Sequence, residues 1–454
     1  MKACIAEGSV LNYPVKSRRR ITRFRAALES RLGERTFGET VLPEVTRRDF
    51  LAIAGRLGLV GGGLALAASS PAWFRFLIES APGRAFAASA SSLAQMAPEA
   101  RYWVSLVTAA GQCNLCHGAS AALEQGFEHP EGLVKCVLCA NECNIEVGER
   151  GRCRARENVN GTLRSLVYGH PASIHVDPIE KKPFYHFLPG SDAYSLATAG
   201  CPLRCKFCQN WELSQASPED FDVPETSPAQ IVLAAQSRQA PVIAFTYNEP
   251  TVFFEYMVDI AREGRPQGLR HVLISCGFMN PEPLDELCQT LDAIKVDLKG
   301  FSEEFYHEVC GAELQPVLRT IKAVARSGTH LEIVNLVVPT LNDSERDLTG
   351  LCNWITGEVG PDVPVHFTRF HPDYRLLNLP PTPVSTLERA REIALSYGLH
   401  YPYVGNVPGH AGNHTYCPNC GKIVIERTGF IVSSVRLKDG LCEFCQTPIA
   451  GVWQ

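Results

Sequence analysis

Six short β-rich runs alternate with helical stretches along this 454-residue chain. The predicted strands cover residues 194–199, 241–246, 271–275, 293–297, 331–337 and 365–369. Helical patterns fall between them, for example at 228–238, 251–262, 315–327 and 386–397. Apolar strands that alternate with helices predict βαβ units, and therefore an α/β fold with a parallel sheet. In such folds the functional groups lie on loops at the carboxyl ends of the strands.

Three cysteines follow the first predicted strand directly. They are Cys201, Cys205 and Cys208, with three and then two residues between them. Three thiolates are one short of the four that close a [4Fe–4S] cluster or a structural zinc site, so one metal position is left for another ligand. The alternative is a structural metal site that takes its fourth ligand from elsewhere. The position of the motif at a strand end favours a functional site.

Polar and charged side chains end several of the other predicted strands. Glu249 follows the second strand, and His371 follows the sixth. Lys295, Asp297 and Lys299 alternate at the end of the fourth strand, so we expect them to point to one side of the sheet. Three inward charges are costly to bury unless they are paired or hold a ligand. Paired structural charges, a structural histidine and a helix-start role for Glu249 are the alternatives.

Two further cysteine sets flank the strand–helix region. One precedes it and consists of Cys136, Cys139, Cys143 and Cys153. The other follows it as two CxxC pairs, Cys417 with Cys420 and Cys442 with Cys445, at nearly the spacing of a zinc ribbon. Four thiolates suffice for a tetrahedral zinc site or an Fe–S cluster. We therefore predict a closed metal site in each set, with zinc or additional Fe–S in the first and structural zinc or iron in the second.

A shorter motif lies further upstream, at Cys113, Cys116 and His117. The CxxCH pattern is the attachment signature of c-type haem, but it also fits half of a zinc site or a vestige of duplication. The eighteen cysteines of the chain occur mainly in such tight sets, which favours metal binding over a disulfide framework.

The first 95 residues contain a segment that resembles a twin-arginine export signal. Thr-Arg-Arg-Asp-Phe-Leu at 46–51 precedes an apolar, glycine-rich stretch at 57–68 and small-residue cleavage candidates at 85–90. We expect export or membrane association if this signal is used, and a cytoplasmic protein if it is not. The alternatives are a retained membrane-facing helix and a start codon placed upstream of the true one.

The cysteine motif resembles the signature of the radical S-adenosylmethionine (SAM) superfamily. Longer segments resemble the AmmeMemoRadiSam-system radical SAM enzymes, which are relatives of the pyruvate formate-lyase activating enzymes. These segments are Pro-Ile-Glu-Lys-Lys-Pro at 178–183, Phe-Leu-Pro-Gly at 187–190, Phe-Cys-Gln-Asn-Trp-Glu at 207–212, Phe-Thr-Tyr-Asn-Glu-Pro at 245–250 and Tyr-Val-Gly-Asn-Val-Pro-Gly at 403–409. The resemblance extends from about residue 136 to residue 453.

This resemblance implies a partial (β/α)₆ TIM-type barrel with cysteine-rich metal modules before and after it. It implies that Cys201, Cys205 and Cys208 hold a [4Fe–4S] cluster whose open iron binds SAM, and that Glu249, Asp297, Lys299 and His371 contact SAM. The expected activity is reductive cleavage of SAM to a 5′-deoxyadenosyl radical, which abstracts hydrogen from an unknown substrate. The alternatives are a glycyl-radical activase of a partner protein and a non-catalytic multi-metal electron-transfer or scaffold protein.

The predicted organisation is a basic, Tat-like N-terminus at 1–95, a cysteine-rich module at 96–185, the barrel at 186–405 and a zinc-ribbon-like module at 406–454. The expected partners are SAM, an electron donor such as ferredoxin or flavodoxin, and proteins of the Memo and AMMECR families. The formal net charge of −5 gives no indication of nucleic-acid binding.

Overall fold

The structure, a computed structural model, describes residues 93–106 and 131–454. The Tat-like segment and the motif at Cys113, Cys116 and His117 lie outside the described residues. From Ala97 onward the described residues belong to one compact unit, and residues 93–96 belong to another. Among the described helices, none is long and apolar enough to cross a membrane.

Two small antiparallel sheets precede the predicted strand–helix region. The first has three strands: β1 (Trp103–Ser105), β2 (Val134–Cys136) and β3 (Asn144–Ile145). The second is the hairpin of β4 (Arg156–Val159) and β5 (Thr162–Ser165). A buried ion pair ties this hairpin to a later helix, because Arg156 Nη2 donates to Glu255 Oε1 at 2.5 Å.

An eight-stranded sheet forms the centre of the fold, and its strands lie in chain order. The strands are β6 (Ser173–Pro178), β7 (Asp192–Ala197), β8 (Val242–Phe245), β9 (Arg270–Ser275), β10 (Ala293–Asp297), β11 (His330–Val337), β12 (Val365–Arg369) and β13 (Pro402–Gly405). All neighbours from β7 to β13 pair in parallel, whereas β6 pairs with β7 antiparallel. The predicted α/β fold with a parallel sheet is confirmed, and β6 and β13 are additions to the six predicted strands.

Helices connect the parallel strands. They are α1 (Trp211–Ser214), α2 (Pro228–Ser237), α3 (Phe254–Gly264), α4 (Pro281–Thr290), α5 (Glu303–Phe305), α6 (Leu314–Ser327), α7 (Glu345–Glu358) and α8 (Val384–Ser396). A π-helical segment, Tyr306–Cys310, continues α5. Helix α2 begins at a capping box in which the Ser227 hydroxyl accepts from Gln230 N and the Gln230 side chain accepts from Ser227 N. Helix α6 ends where Gly328 takes the left-handed conformation, with φ +83°.

Short 3₁₀ segments and a C-terminal module complete the described structure. The 3₁₀ segments are Ile179–Lys181, Pro218–Asp220, Pro250–Phe253, Arg265–Gln267 and Ala411–Asn413. The module contains β14 (Thr415–Tyr416), β15 (Ile423–Thr428), β16 (Ile431–Val435), β17 (Leu437–Lys438) and β18 (Leu441–Cys442). Strands β14 to β16 form one antiparallel sheet, and β17 pairs with β18.

A buried arginine fixes this module to the segment before β7. Arg427 is fully buried, and its Nη2 donates to the Tyr185 carbonyl at 2.6 Å. Its Nη1 donates to Thr415 Oγ1 at 2.8 Å, and its Nε lies 3.6 Å from Oε1 of buried Glu180. The guanidinium carbon also lies 4.2 Å from the centre of the Tyr185 ring. These contacts hold the C-terminal module beside the end of the sheet where the predicted site residues lie.

Candidate functional site

An open cavity of about 400 Å³ lies at the carboxyl ends of the parallel strands. Its size falls in the range of roughly 300–1,000 Å³ that is usual for small-molecule sites. The structure brings together there six of the predicted residues, namely Cys201, Cys205, Cys208, Glu249, Asp297 and Lys299. The full lining of the cavity comes from all seven parallel strands, β7 to β13, or from the loops after them.

The cysteine loop is held in place by backbone hydrogen bonds to the π-helical segment. Arg204 N donates to the Cys310 carbonyl at 2.8 Å, and Lys206 N donates to the Val309 carbonyl at 2.9 Å. The Cys310 thiol contacts the Cys205 sulfur and, together with the charge of Lys299, lowers the pKa of Cys205. Cys310 is fully buried and did not belong to any sequence motif. The loop is thus fixed at its centre before any cofactor binds.

Glu249 lies in the wall of the cavity with its carboxylate already engaged. Oε1 accepts hydrogen bonds from Thr251 N at 3.2 Å, Thr251 Oγ1 at 2.5 Å and Ser275 Oγ at 2.8 Å. Oε2 accepts from Cys276 N at 2.6 Å. A carboxylate offers about four acceptor positions. Glu249 therefore joins the ends of β8 and β9, and little acceptor capacity is left for a ligand ammonium group.

The neighbouring Asn248 offers the acceptor that Glu249 lacks. Its Nδ2 donates to the carbonyls of Thr198 at 2.9 Å and Gly200 at 2.7 Å, which fixes the amide against the cysteine loop. Its Oδ1 is buried without a hydrogen-bond partner, and the residue lines the cavity. Buried polar atoms are rarely left unpaired unless a ligand or water completes them. Sequence patterns had drawn attention to Glu249 and not to this amide.

Lys295, Asp297 and Lys299 all line the cavity, as their alternation along β10 predicted. The Asp297 carboxylate accepts from Lys295 Nζ on one oxygen and from Lys299 Nζ, at 3.2 Å, on the other. Burial raises the pKa of Asp297, but the two ammonium groups outweigh burial and leave this pKa below its usual value. These three residues therefore place two positive charges and one negative charge in the wall of the cavity.

His371 does not lie among the residues that line the cavity. It is exposed and stands two residues beyond the end of β12. His366 and Thr368, within β12, line the cavity instead. His371 lies beyond β12, so the alternation of side chains along that strand does not extend to it. His366 Nε2 is 2.6 Å from Glu332 Oε2, which orients the ring.

The C-terminal module contributes a metal-binding group and part of the cavity wall. The ligand sulfurs of Cys417, Cys420, Cys442 and Cys445 all lie within 4.8 Å of one another, so this set could hold a metal ion. Phe430, at the turn between β15 and β16, lines the cavity at the carboxyl ends of the strands. The module thus limits the space available to a substrate.

The upstream set of Cys136, Cys139, Cys143 and Cys153 lies outside this cavity. Its four members line a separate small cavity together with Asn141, Arg156 and Pro202, among others. Pro202 follows Cys201 directly, so the two cavities are divided by the start of the cysteine loop.

Comparison with known proteins identifies the class to which this fold and site belong. Residues 195–351 match the family model described as "Radical SAM superfamily". This part of the chain is therefore a radical SAM domain. The chain belongs to the family of an uncharacterized protein of Methanocaldococcus jannaschii, to which it is 45% identical over 317 residues, 69% of this chain and 94% of the relative.

More distant similarity extends to the pyruvate formate-lyase activating enzymes. The enzyme from Clostridium pasteurianum is 24% identical over 160 residues, and the alignment covers 34% of this chain and 66% of that enzyme. The pyruvate formate-lyase 1-activating enzyme of Escherichia coli K12 is 23% identical over 214 residues, 44% of this chain and 87% of the relative. These alignments show that the chain is related to the activating enzymes.

Among solved structures, a domain of the pyruvate formate-lyase activating enzyme from Bacteroides vulgatus is 17% identical, with a TM-score of 0.33. The alignment with this domain covers 36% of the present chain and 98% of the domain. Streptococcus suis SuiB bound to S-adenosylmethionine is 12% identical, with a TM-score of 0.38, and covers 48% of this chain and 50% of that chain.

The superfamily implies a [4Fe–4S] cluster and SAM, and the donors in the cavity fit both. Three cysteines that face one cavity can supply three thiolates and leave one iron open. The unpaired Asn248 Oδ1 can accept from an ammonium group, and the lysines of β10 suit a carboxylate.

Proposed function

We propose that the chain is a radical SAM enzyme that cleaves SAM reductively with a cluster held by Cys201, Cys205 and Cys208. When bound and reduced, this cluster supplies one electron that breaks the C5′–S bond of SAM, giving methionine and a 5′-deoxyadenosyl radical that takes hydrogen from a substrate. The observation that carries the proposal is the single cavity that is lined by the three cysteines, by Asn248 with its unpaired amide oxygen and by the charged residues at the end of β10. The proposal also includes the partial barrel, formed here with seven parallel strands.

Different residues of the cavity bind different groups of SAM in this proposal. Asn248 Oδ1 accepts from the SAM ammonium group, and one of Lys295 and Lys299 pairs with its carboxylate. Glu249 does not contact SAM itself. It positions the site, because its carboxylate joins the loops after β8 and β9. Phe430 and His366 bound the remaining space and exclude water from the radical.

Production of 5′-deoxyadenosine tests this proposal. The full chain is reconstituted anaerobically with iron and sulfide, reduced, and supplied with SAM. We expect 5′-deoxyadenosine from the wild type and none above background from Cys205→Ala. Cys288→Ala, which changes a half-buried cysteine of α4 outside the three sets, is the matched control and should match the wild type. Equal amounts from wild type and Cys205→Ala would refute the proposal and would favour an electron-transfer or scaffold role.

The similarity to activating enzymes favours one further candidate, in which the hydrogen donor is a glycine of a partner protein. The extra cysteines for which we propose Fe–S binding, Cys136 to Cys153, precede the cluster motif, whereas activases usually carry their extra cluster cysteines after it. Deuterium distinguishes the two candidates. Extract from cells grown in D₂O is separated by size, and each fraction is added to the enzyme. The radical takes deuterium from a labelled substrate, so the fraction that labels 5′-deoxyadenosine contains the hydrogen donor. Label from the protein fraction supports an activase, whereas label from the small-molecule fraction contradicts an activase.

We also propose that the C-terminal set holds structural zinc. Four thiolates at about 2.3 Å from one zinc ion stand about 3.8 Å apart. The sulfurs of Cys417 and Cys445 are 3.5 Å apart, and those of Cys420 and Cys442 are 3.8 Å apart. Metal analysis of the purified chain should give about one zinc, which Cys420→Ala loses.

We propose ferredoxin or flavodoxin as the electron donor. The Memo-family and AMMECR-family partners stay predictions.

A further inference from the structure

We propose that the set of Cys136, Cys139, Cys143 and Cys153 binds a second [4Fe–4S] cluster and not zinc. We propose further that this cluster passes electrons to the SAM site. The cluster itself goes beyond the proposed function, whereas its role as an electron relay rests on that function.

The four cysteines converge on one cavity although they span eighteen residues of chain. Strand β2 ends at Cys136, and Cys143 directly precedes β3. Cys136 N donates to the Cys143 carbonyl at 2.9 Å, which brings the two segments together. Cys153 comes from the turn before β4. The fold therefore places four thiols around one enclosed space before any metal is considered.

The separation of the sulfurs discriminates between zinc and a cluster. Four thiolates on one zinc ion stand only about 3.8 Å apart. In a [4Fe–4S] cluster each thiolate binds a different iron, so the sulfurs stand further apart around a central space. Among the described residues, the C-terminal set is the group whose ligand atoms all lie within 4.8 Å of one another. The Cys136 set does not form such a group among the described residues, and neither does the proposed SAM-cluster site at Cys201.

A buried guanidinium also borders this cavity. Arg156 lines it and is only 1% exposed. Its Nη1 and Nη2 are paired with the Arg101 carbonyl, at 2.7 Å, and with Glu255, but its Nε has no hydrogen-bond partner. Four thiolates around an iron–sulfur core carry net negative charge, which a buried guanidinium stabilises.

Hydrogen-bond donors also point at the sulfurs. Arg152 N donates to Cys143 Sγ at 3.5 Å, and Asn141 Nδ2 approaches Cys139 Sγ at 3.8 Å. Such donors are among the features that set the reduction potential of a cluster. Asn141 Nδ2 also donates to the Pro202 carbonyl at 3.2 Å, so the same side chain contacts the loop of the other site.

Direct contact between the two cysteine segments supports the relay. Gly200 has φ +96°, and a Cβ at this position would clash with the Cys153 carbonyl oxygen, so the backbones of the two segments touch. Three of the four upstream cysteines are half-buried and only Cys136 is buried, whereas two of the three at the other site are buried and only Cys208 is half-buried, so the upstream set lies nearer to the surface. One electron enters from a ferredoxin-like or flavodoxin-like carrier, and one electron leaves to the Cys201 site, with no bond made or broken.

The test of the cluster uses the full chain without its SAM-cluster ligands. A triple variant with Cys201→Ala, Cys205→Ala and Cys208→Ala is reconstituted anaerobically. We expect it to keep about four iron and four sulfide ions per chain, and to give after reduction an electron paramagnetic resonance signal that SAM leaves unchanged. Further substitution with Cys139→Ala and Cys143→Ala should remove the bound iron and sulfide and also the resonance signal. Adding Cys288→Ala and Cys352→Ala to the triple variant is the matched control, and circular dichroism shows whether each variant is folded.

Two results would overturn the proposal. One is a folded triple variant that contains no iron. The other is a triple variant that contains about two zinc ions per chain, one beyond the C-terminal site. Because neither depends on SAM cleavage, failure of the cluster and failure of the proposed enzymatic activity are distinguishable.

The relay is tested with two reductants. The rate of 5′-deoxyadenosine formation is measured with flavodoxin and with titanium citrate, which is small enough to reduce buried sites directly. In the variant with Cys139→Ala and Cys143→Ala, the ratio of the flavodoxin rate to the titanium rate should fall at least about tenfold relative to wild type, a change of about 1.4 kcal/mol in barrier. An unchanged ratio would refute the relay.

Discussion

Asn248 Nδ2 donates a 2.7 Å hydrogen bond to the carbonyl of Gly200, the residue that precedes Cys201. This bond joins the loop after β8 to the loop that carries the three cysteines. It also fixes the direction in which the unpaired Oδ1 of Asn248 faces. One amide thus couples the position of the cluster ligands to the position of a candidate SAM contact.

Asn248→Ala should therefore impair SAM cleavage more than iron binding. The substitution removes two hydrogen bonds, each worth about 1 kcal/mol, and the proposed acceptor for the SAM ammonium. We expect the rate of 5′-deoxyadenosine formation at low SAM to fall by roughly tenfold or more, while most of the iron is retained. Asn353→Ala, at an exposed position of α7, should match the wild type. A normal apparent affinity for SAM would show that Asn248 is not a contact.

Glu249→Gln should destabilise the fold, because all four contacts to this carboxylate are donated by neighbours. An amide nitrogen in place of either oxygen would face a donor and leave it unpaired. We expect a loss of about 2–3 kcal/mol in the free energy of unfolding, measured by chemical denaturation. Glu282→Gln, in the exposed first turn of α4, serves as the control. Unchanged stability with a weakened affinity for SAM would instead support the role that the family resemblance implied.

Arg427→Met should separate the C-terminal module from the rest of the site. Removal of one member of a buried ion pair costs about 3–5 kcal/mol, because Glu180 would stay buried without its partner. The double variant with Glu180→Gln should recover part of this loss. Arg436→Met, which changes an exposed arginine of the same module, is the comparison. Equal stability of the single and double variants would contradict a pairing role.

The stability of the fold should decrease in acid because of His186. Burial lowers the pKa of His186 to about 3, whereas an unfolded chain has a histidine pKa near 6.5. The unfolded state therefore binds the proton first, so stability is complete above about pH 6.5 and is lost as the pH falls towards 3. This group alone should account for roughly 2–3 kcal/mol between pH 7 and pH 4.5.

Replacement of this side chain tests its share of the acid sensitivity. In His186→Gln, the difference in unfolding free energy between pH 7 and pH 4.5 should be smaller than in the wild type by that amount. His307→Gln, at an exposed position, is the control and should keep the wild-type difference. The same acid sensitivity in His186→Gln would assign the effect to other groups, among them His271, whose pKa burial lowers to about 4.

The sequence predicted much of the sheet because apolar runs between helices carry a strong periodic signal. All six predicted parallel strands are present, and four of the six end at the predicted residue. Strand β13 was missed because its four residues begin with a proline and end with a glycine, which leaves too short an apolar signal. Strand β6 was missed because polar residues interrupt it. These strands are defined by their neighbours in the sheet rather than by their own composition.

The site was harder to predict because orientation depends on small details of backbone. His371 follows a strand end in the sequence, yet it is exposed in the loop after β12, whereas His366 and Thr368 within the strand line the cavity. The unpaired oxygen of Asn248 and the contact of Cys310 with Cys205 come from tertiary packing across distant loops. No spacing rule in the sequence signals either feature.

The contact between Gly200 and Cys153 has a consequence for how the protein matures. Because the two cysteine segments share an interface with no room for a single extra carbon, neither can reach its final shape until the other is folded. A misfolded loop at one set should thus disturb the shape of the other. Errors in either segment would then be felt at both cysteine sets before any metal arrives.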